Sequence, residues 1–281
     1  MSSPVRFEIE AAGHLGHVFV SRRPPAGLQG NQHSGPDGGG PAGGRPRPAV
    51  VLVHGIGVSH RYLGRLHGVL AETVDTYSVD LPGFGATPRP DHTLSVADHA
   101  TYILGALEQL GVLDFVLVGH SMGTQFAIQA ALQQPERIRQ LVLMGPVVDP
   151  KRRTVAQQAL ALGYDSLFFE SPSANALVFT DYLRCGPSWY LKTLRVMMGY
   201  PTEERITGVT APVLVLRGAK DPVAGVAWSR RLAGRAKAGQ LREIPGTGHV
   251  VQHNRAVEVA EAITSFAGLP AAAGATEEFR A

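Results

Sequence analysis

Phe115-Val116-Leu117-Val118-Gly119-His120-Ser121-Met122-Gly123-Thr124 decides the reading of this chain: an apolar run, then Gly-x-Ser-x-Gly, then the start of an Ala-rich run. The apolar run has the length and composition of a buried strand, and the Ala-rich run that of a helix extending to about Gln134. A serine held on so sharp a strand-to-helix turn has a strained backbone, and the residues two before and two after it are forced together. Gly119 and Gly123 are the residues such crowding demands. The helix that follows aims free backbone N–H groups and its positive end at the Ser121 hydroxyl. Five residues also recur by chance, and a Gly-rich turn with an incidental serine reads the same way.

Three further stretches give the motif company. His54-Gly55-Ile56-Gly57 directly follows the apolar run 49–53, Asp221 lies in Arg217-Gly218-Ala219-Lys220-Asp221-Pro222, and His249 closes Pro245-Gly246-Thr247-Gly248-His249. The order Ser, Asp, His is that of the α/β-hydrolase triad and differs from the order in chymotrypsin-like and subtilisin-like proteases. From about Val50 to about Phe266 the sequence resembles the α/β-hydrolase superfamily, in particular its small lid-bearing esterases and carbon–carbon bond hydrolases. The resemblance implies an α/β-hydrolase fold with Ser121 as nucleophile, His249 as general base and Asp221 as the acid that orients it. It implies an oxyanion hole built from the backbone N–H groups of Ile56 and Met122. Asp149 competes for the acid's role, because it too follows a core strand, but the Gly-x-x-Asp-Pro context favours Asp221. His54 is expected to brace its loop rather than react, and Asp80, in Asp-x-Pro-Gly-x-Gly, to hold a turn. A serine at the elbow argues against haloalkane dehalogenases and epoxide hydrolases, which use aspartate there.

Length and composition narrow the rest. The chain has 281 residues, enough for one large α/β domain with an insertion, and its 44% hydrophobic and 17% charged content is that of an ordinary globular protein. No apolar run approaches the ~18 residues of a transmembrane helix. The N-terminus lacks the basic-then-apolar pattern of a secretory signal, so a cytoplasmic location with no membrane partner is the expectation. A net charge of +3 arises from scattered Arg and does not point to nucleic acid. Cys185, the single cysteine, has no partner for a disulfide, and no His or Cys spacing suggests a metal site or a dinucleotide cofactor. The expected partner is a small-molecule substrate, and the chain is expected to be a monomer or homodimer with no cofactor.

In chain order, strands are expected over about 5–10 and 15–20 as an antiparallel edge joined at Ala12-Gly13, then over 49–53, 73–79, 115–118, 141–144, 212–216 and 241–244. Helices are expected over 60–72, 95–110, 121–134 and 256–266, with Ser95 and Asp98 forming a capping pattern. Strands alternating with helices specify a mostly parallel, doubly wound sheet. Residues 24–48 are Gly-, Pro- and Ser-rich and read as a flexible surface insertion, and 269–281 as a frayed tail. The core is thus assigned to 1–148 and 208–268, and 149–207 to a helical lid. The lid is dense in aromatics and holds Met197-Met198; Phe168, Phe169, Trp189 and Tyr190, with Phe84 of the core, are the candidate substrate contacts.

The activity this implies is hydrolysis of a small apolar or aromatic carboxylic ester or lactone through an acyl-enzyme. Cleavage of carbon–carbon bonds in ring-fission products, acyl transfer to an alcohol, cofactor-free oxidation, or a non-enzymatic receptor role on the same fold all stay open, because function lives in the pocket rather than the fold.

Overall fold

An unbroken run of β-branched residues and Leu has no face to offer water, so it must be a strand covered on both sides. β3 (Ala49–Val53) meets that requirement, being buried at every position. The computed structural model describes residues 3–23, 49–150 and 154–271; the expected insertion at 24–48 and most of the expected tail lie outside the described residues.

Among these, the strands are β1 (Val5–Ala11), β2 (His14–Ser21), β3, β4 (Asp75–Asp80), β5 (Phe115–His120), β6 (Ile138–Met144), β7 (Val213–Gly218) and β8 (Gly239–Ile244). They form one eight-stranded sheet in the order β1-β2-β4-β3-β5-β6-β7-β8. β1 and β2 are the antiparallel edge, turned by Ala12 and Gly13 at positive φ, and from β4 onward every pairing is parallel. The period-2 rule divides the core: Val51 and Val53 join Tyr102, Ile103, Phe126 and Trp228 on one face, whereas Val50 and Leu52 join Leu63, Leu66, Leu70 and Ile263 on the other. Each such side chain, fully buried, contributes about 1.5–3 kcal/mol of transfer free energy.

The layers are helical. α1 (Gly64–Ala71) and α10 (Ala256–Ala267) pack on one face; α2 (Val96–Gln109), α3 (Gly123–Gln133) and α8 (Val226–Arg235) pack on the other. The expected cap of α2 is a complete capping box, with Ser95 Oγ accepting the Asp98 N–H and the Asp98 carboxylate accepting the Ser95 N–H at 2.8 Å. The helix expected over 60–72 begins as a 3-10 turn, His60–Leu63, because Asp80 captures the His60 N–H and its ring at 2.8 Å. The sequence reading omits α8, whose five apolar residues are interrupted by Ser229, Arg230, Arg231, Gly234 and Arg235.

Between β6 and β7 the chain leaves the sheet as α4 (Val155–Phe168), α5 (Pro172–Cys185), α6 (Pro187–Gly199) and the short α7 (Thr202–Arg205). Local chemistry sets these starts: Thr154 and Ser171 cap α4 and α5, and Pro172 and Pro187 occupy first-turn positions where the missing N–H costs nothing. A last short helix, α9 (Val251–Asn254), follows His249. No described helix is long and apolar enough to cross a membrane.

Candidate active site

The turn after β5 carries the strain its sequence demands. Ser121 sits at φ 55°, in the left-handed region that costs a non-glycine residue about 1–3 kcal/mol, and its N–H is tied to the Met144 carbonyl at 2.9 Å. A side chain at position 119 would run into the Gly123 carbonyl, and one at 123 would lie 2.5 Å from the Val53 carbonyl. The glycines are therefore steric necessities. Met122 directly precedes α3, so its N–H is one of those that the helix's own carbonyls cannot satisfy.

Ser121 and His249 line the same cavity of about 570 Å³, which opens between the carboxyl edge of the sheet and α4–α6. His249 Nδ1 bonds Asp221 Oδ2 at 2.9 Å, and Asp221 Oδ1 accepts the Val223 and Ala224 N–H groups at 2.8 and 2.9 Å. Burial alone raises the Asp221 carboxyl, but the charge and hydrogen bond of His249 and these two N–H groups outweigh it and hold it below its ordinary value. Burial likewise works to lower His249, yet Asp221, with Asp165 and Glu170, raises it to about 9. His249 Nε2 is buried and has no hydrogen-bond partner among the described residues. Asp149, the rival acid, pairs instead with Arg231 at 2.6 Å.

Beside Ser121 runs the loop after β3. A Cβ at Gly55 would lie 2.9 Å from that of Ser121, and Ile56 is part of the cavity wall. Gly57 has φ 75° and lies under the rings of Tyr182 and Tyr190. His54 accepts the Leu81 N–H at Nε2, so Nδ1 carries the proton and donates to the Gly55 carbonyl at 2.8 Å; it braces the loop. A second brace joins three loops. Tyr62 Oη accepts the Gly55 N–H at 2.8 Å and donates to His120 Nδ1 at 2.7 Å, while His120 Nε2–H donates to the His249 carbonyl at 2.9 Å. This arrangement needs a neutral His120, and burial pushes that ring down to about 3. Arg217, buried, donates to the Asp221 and Ala224 carbonyls and pairs with Glu243 at 2.8 Å, which fixes the loop that carries Asp221.

The expected substrate contacts divide. Tyr190 lines the cavity; the other four do not. On α4 the cavity takes Leu162, Asp165 and Ser166, the i, i+3, i+4 stripe, so Tyr164 and Phe168 fall on the opposite face and pack on each other, with Phe168 64% exposed. Phe169 lies beneath Lys220 and against Gly248. Trp189, one residue before Tyr190, is turned about 100° round α6 onto Gly83, and Phe84 is buried edge-on to His54. Met197 is likewise buried in the core, where its carbonyl accepts from Gln125 at 3.0 Å. Asp165 and Glu170, which the sequence reading passed over, do line the cavity, together with Tyr182, Phe179, Val178 and Leu183. Among the described residues no group of three His, Cys, Asp or Glu side chains is placed to hold a metal ion.

Comparison with known proteins agrees with the fold. A probable 1-acylglycerol-3-phosphate O-acyltransferase of Oryza sativa subsp. japonica is 34% identical over 104 residues, 35% of this chain and 25% of that protein. The chain spans from a quarter to about half the length of the first curated relatives it matches. Among solved structures, the enol-lactonase of Burkholderia xenovorans superposes with a TM-score of 0.74 at 18% identity, covering 92% of this chain and 99% of that one. The 2-hydroxy-6-oxo-6-phenylhexa-2,4-dienoate hydrolase of Rhodococcus sp. superposes with a TM-score of 0.71 at 19% identity, covering 94% and 99%. The model of the alpha/beta hydrolase family matches residues 50–262, and the chain belongs to that family.

Proposed function

We propose that the protein is a serine hydrolase that cleaves a small apolar or aromatic carboxylic ester or lactone through an acyl-enzyme. The observation that carries this reading is that a strained Ser121 shares one cavity with a His249 whose Nδ1 is held by Asp221 and whose Nε2 has no partner among the described residues. In the mechanism, Nε2 takes the Ser121 proton as Oγ attacks the carbonyl, and Asp221 supports the imidazolium that forms. The N–H groups of Ile56 and Met122 receive the developing oxyanion. The proton then passes from His249 to the leaving alkoxide, and water, activated by the same imidazole, resolves the acyl-enzyme. Turnover of p-nitrophenyl butyrate is expected to open with a burst of one nitrophenol per chain, and mass spectrometry of the quenched enzyme to place the butyryl group on Ser121. A burst-free reaction with no acylated peptide refutes the reading.

Substrate size follows from the lid, and here Tyr190 and Phe168 separate. Tyr190→Ala enlarges the cavity wall beside Gly57, so the ratio of kcat/KM for a benzoate ester over an acetate ester is expected to change by about 10-fold. Phe168→Ala removes a solvent-facing ring, and the same ratio is expected to stay within about 2-fold. Equal effects of the two would remove Tyr190 from the substrate contacts.

A further inference from the structure

Two carboxyl groups of the insertion over Ser121, Asp165 of α4 and Glu170 in the turn between α4 and α5, reach the loop of His249. Asp165 Oδ1 accepts the His249 N–H at 2.9 Å and Glu170 Oε1 accepts the next N–H, that of Val250, at 2.8 Å, while Glu170 Oε2 accepts from Asn254 at 2.6 Å. A side chain at Gly248 would collide with the Asp165 carboxyl, which is how closely α4 presses on this loop. Both acids form part of the cavity wall, and Asp165 itself is buried. No Lys or Arg belongs to that wall among the described residues, and the remainder is largely apolar or aromatic. Cations around the cavity have partners of their own: Arg61 pairs with Asp181 at 2.9 Å, Arg89, beside Gly186, donates to the Cys185 carbonyl at 2.8 Å, and the Lys220 ammonium stands over the Phe169 ring. His249 is compensated by Asp221 at 2.9 Å, so it offers no free positive charge to a ligand.

We propose that this cavity selects substrates by charge: it admits esters and lactones that are neutral or carry an amine and turns away those bearing a carboxylate or phosphate, with Asp165 and Glu170 as the residues that discriminate. The proposal rests on the ester-hydrolase reading and names its substrate class. The physical argument is desolvation. An anion entering this cavity leaves water for a mostly apolar wall in which the fixed charges share its sign, and nothing among the wall residues replaces its hydration. A neutral ring loses little on the same transfer. An ammonium gains the two carboxyl groups as neighbours. Burial and the adjacent Glu170 push Asp165 up to about 8, so near neutral pH its carboxyl is largely protonated, and its negative charge joins that wall as the pH rises past this value.

The test uses phenyl benzoates of one size, with a para ethyl, carboxymethyl or aminomethyl group on the acyl ring in one set and on the phenol ring in the other. At pH 7 the carboxymethyl ester of at least one set is expected to show a kcat/KM about 30-fold below its ethyl counterpart, and the aminomethyl ester to match or exceed the ethyl one. In Glu170→Gln at pH 7, and in Asp165→Asn at pH 9 where Asp165 is ionised, the ratio of carboxymethyl to ethyl is expected to rise about 10-fold, a ratio that cancels any general loss of rate. Equal rates for carboxymethyl and ethyl esters in both sets overturn the proposal, as does an unchanged ratio in both variants. If one variant fails to fold, the other and the wild-type series still decide. If neither set is turned over, the ester reading fails by itself, and charge preference is read from binding of 4-ethylacetophenone against 4-acetylphenylacetate by thermal shift. Equal stabilisation by that pair overturns the proposal independently.

Discussion

Ser121→Ala is expected to lower kcat/KM for p-nitrophenyl esters by roughly 10⁶-fold, the scale at which removal of a serine nucleophile disables a preorganised site. The substitution removes one oxygen and keeps the strained turn, because alanine tolerates φ 55° about as poorly as serine does and the Gly119–Gly123 contact is untouched. Thermal stability is therefore expected to stay within about 1 kcal/mol of the parent, since the residue is a small one whose loss opens no cavity of note. A fluorophosphonate probe is expected to label the parent stoichiometrically and the variant not at all. Full labelling of Ser121→Ala would move the nucleophile elsewhere, and retained turnover without labelling would favour the cofactor-free oxidation reading, which needs His249 and Asp221 but not Ser121. The size of the loss is diagnostic. In the proposed mechanism, stabilisation by the Ile56 and Met122 N–H groups and by binding survives the substitution, so activity is expected to settle about 10³-fold above the uncatalysed rate and not at it.

What the sequence disclosed and what it hid differ in physical kind. Strands β3, β5, β6 and β7 were legible because a two-sided burial demands unbroken apolar runs, and the elbow because only glycine satisfies its crowding. His54 as a brace followed from a lone histidine next to a core strand, and its two backbone partners bear this out. The cavity wall was not legible to the same depth. Counting aromatics between 149 and 207 weighs residue type, whereas lining a cavity depends on helical phase: Tyr190 faces in and Trp189, one position earlier, faces the core. Asp165 and Glu170 escaped notice because an isolated acid, on a helix such as α4 or in the turn after it, looks like a solvated group until the partner loop is known. Tyr62, His120 and Arg217 escaped for a related reason. Each acts by tying together loops that are far apart in sequence, Gly55 to His249 through Tyr62 and His120, and Asp221 to Glu243 through Arg217. A capping box is a local pattern and can be read in four residues; a brace spanning 129 residues cannot.

Asp221→Asn is expected to cost about 10⁴-fold in kcat, while Asp149→Asn leaves kcat/KM within about 3-fold, because the two carboxylates hold different partners. Asp221 accepts from His249 Nδ1, and through its other oxygen from the Val223 and Ala224 N–H groups. In the asparagine variant those two N–H groups retain the side-chain oxygen, which leaves the amide NH₂ facing His249. Nδ1 must then accept, the ring proton moves to Nε2, and the nitrogen facing the cavity can no longer take a proton from Ser121. Asp149 meets Arg231 in a partly exposed pair, of a kind worth about 0–1 kcal/mol, and makes no contact with His249 among the described residues. The pH profile separates loss of the carboxylate from a general disturbance. In the proposed mechanism the base must be neutral to act, so activity is expected to fall as pH drops through the His249 pKa, and Asp221 with the two insertion acids raises that value to about 9. The parent is therefore expected to gain kcat/KM from pH 6 well into the alkaline range, with the midpoint of its acid limb above the ordinary histidine value. In Asp221→Asn the largest raising influence is gone, and burial, which works in the opposite direction, is left less opposed. The residual activity is accordingly expected to show its acid limb displaced to lower pH. A midpoint that stays put in Asp221→Asn but moves in Asp149→Asn would transfer the acid's role to Asp149, and with it the loop that must be fixed for His249 to work.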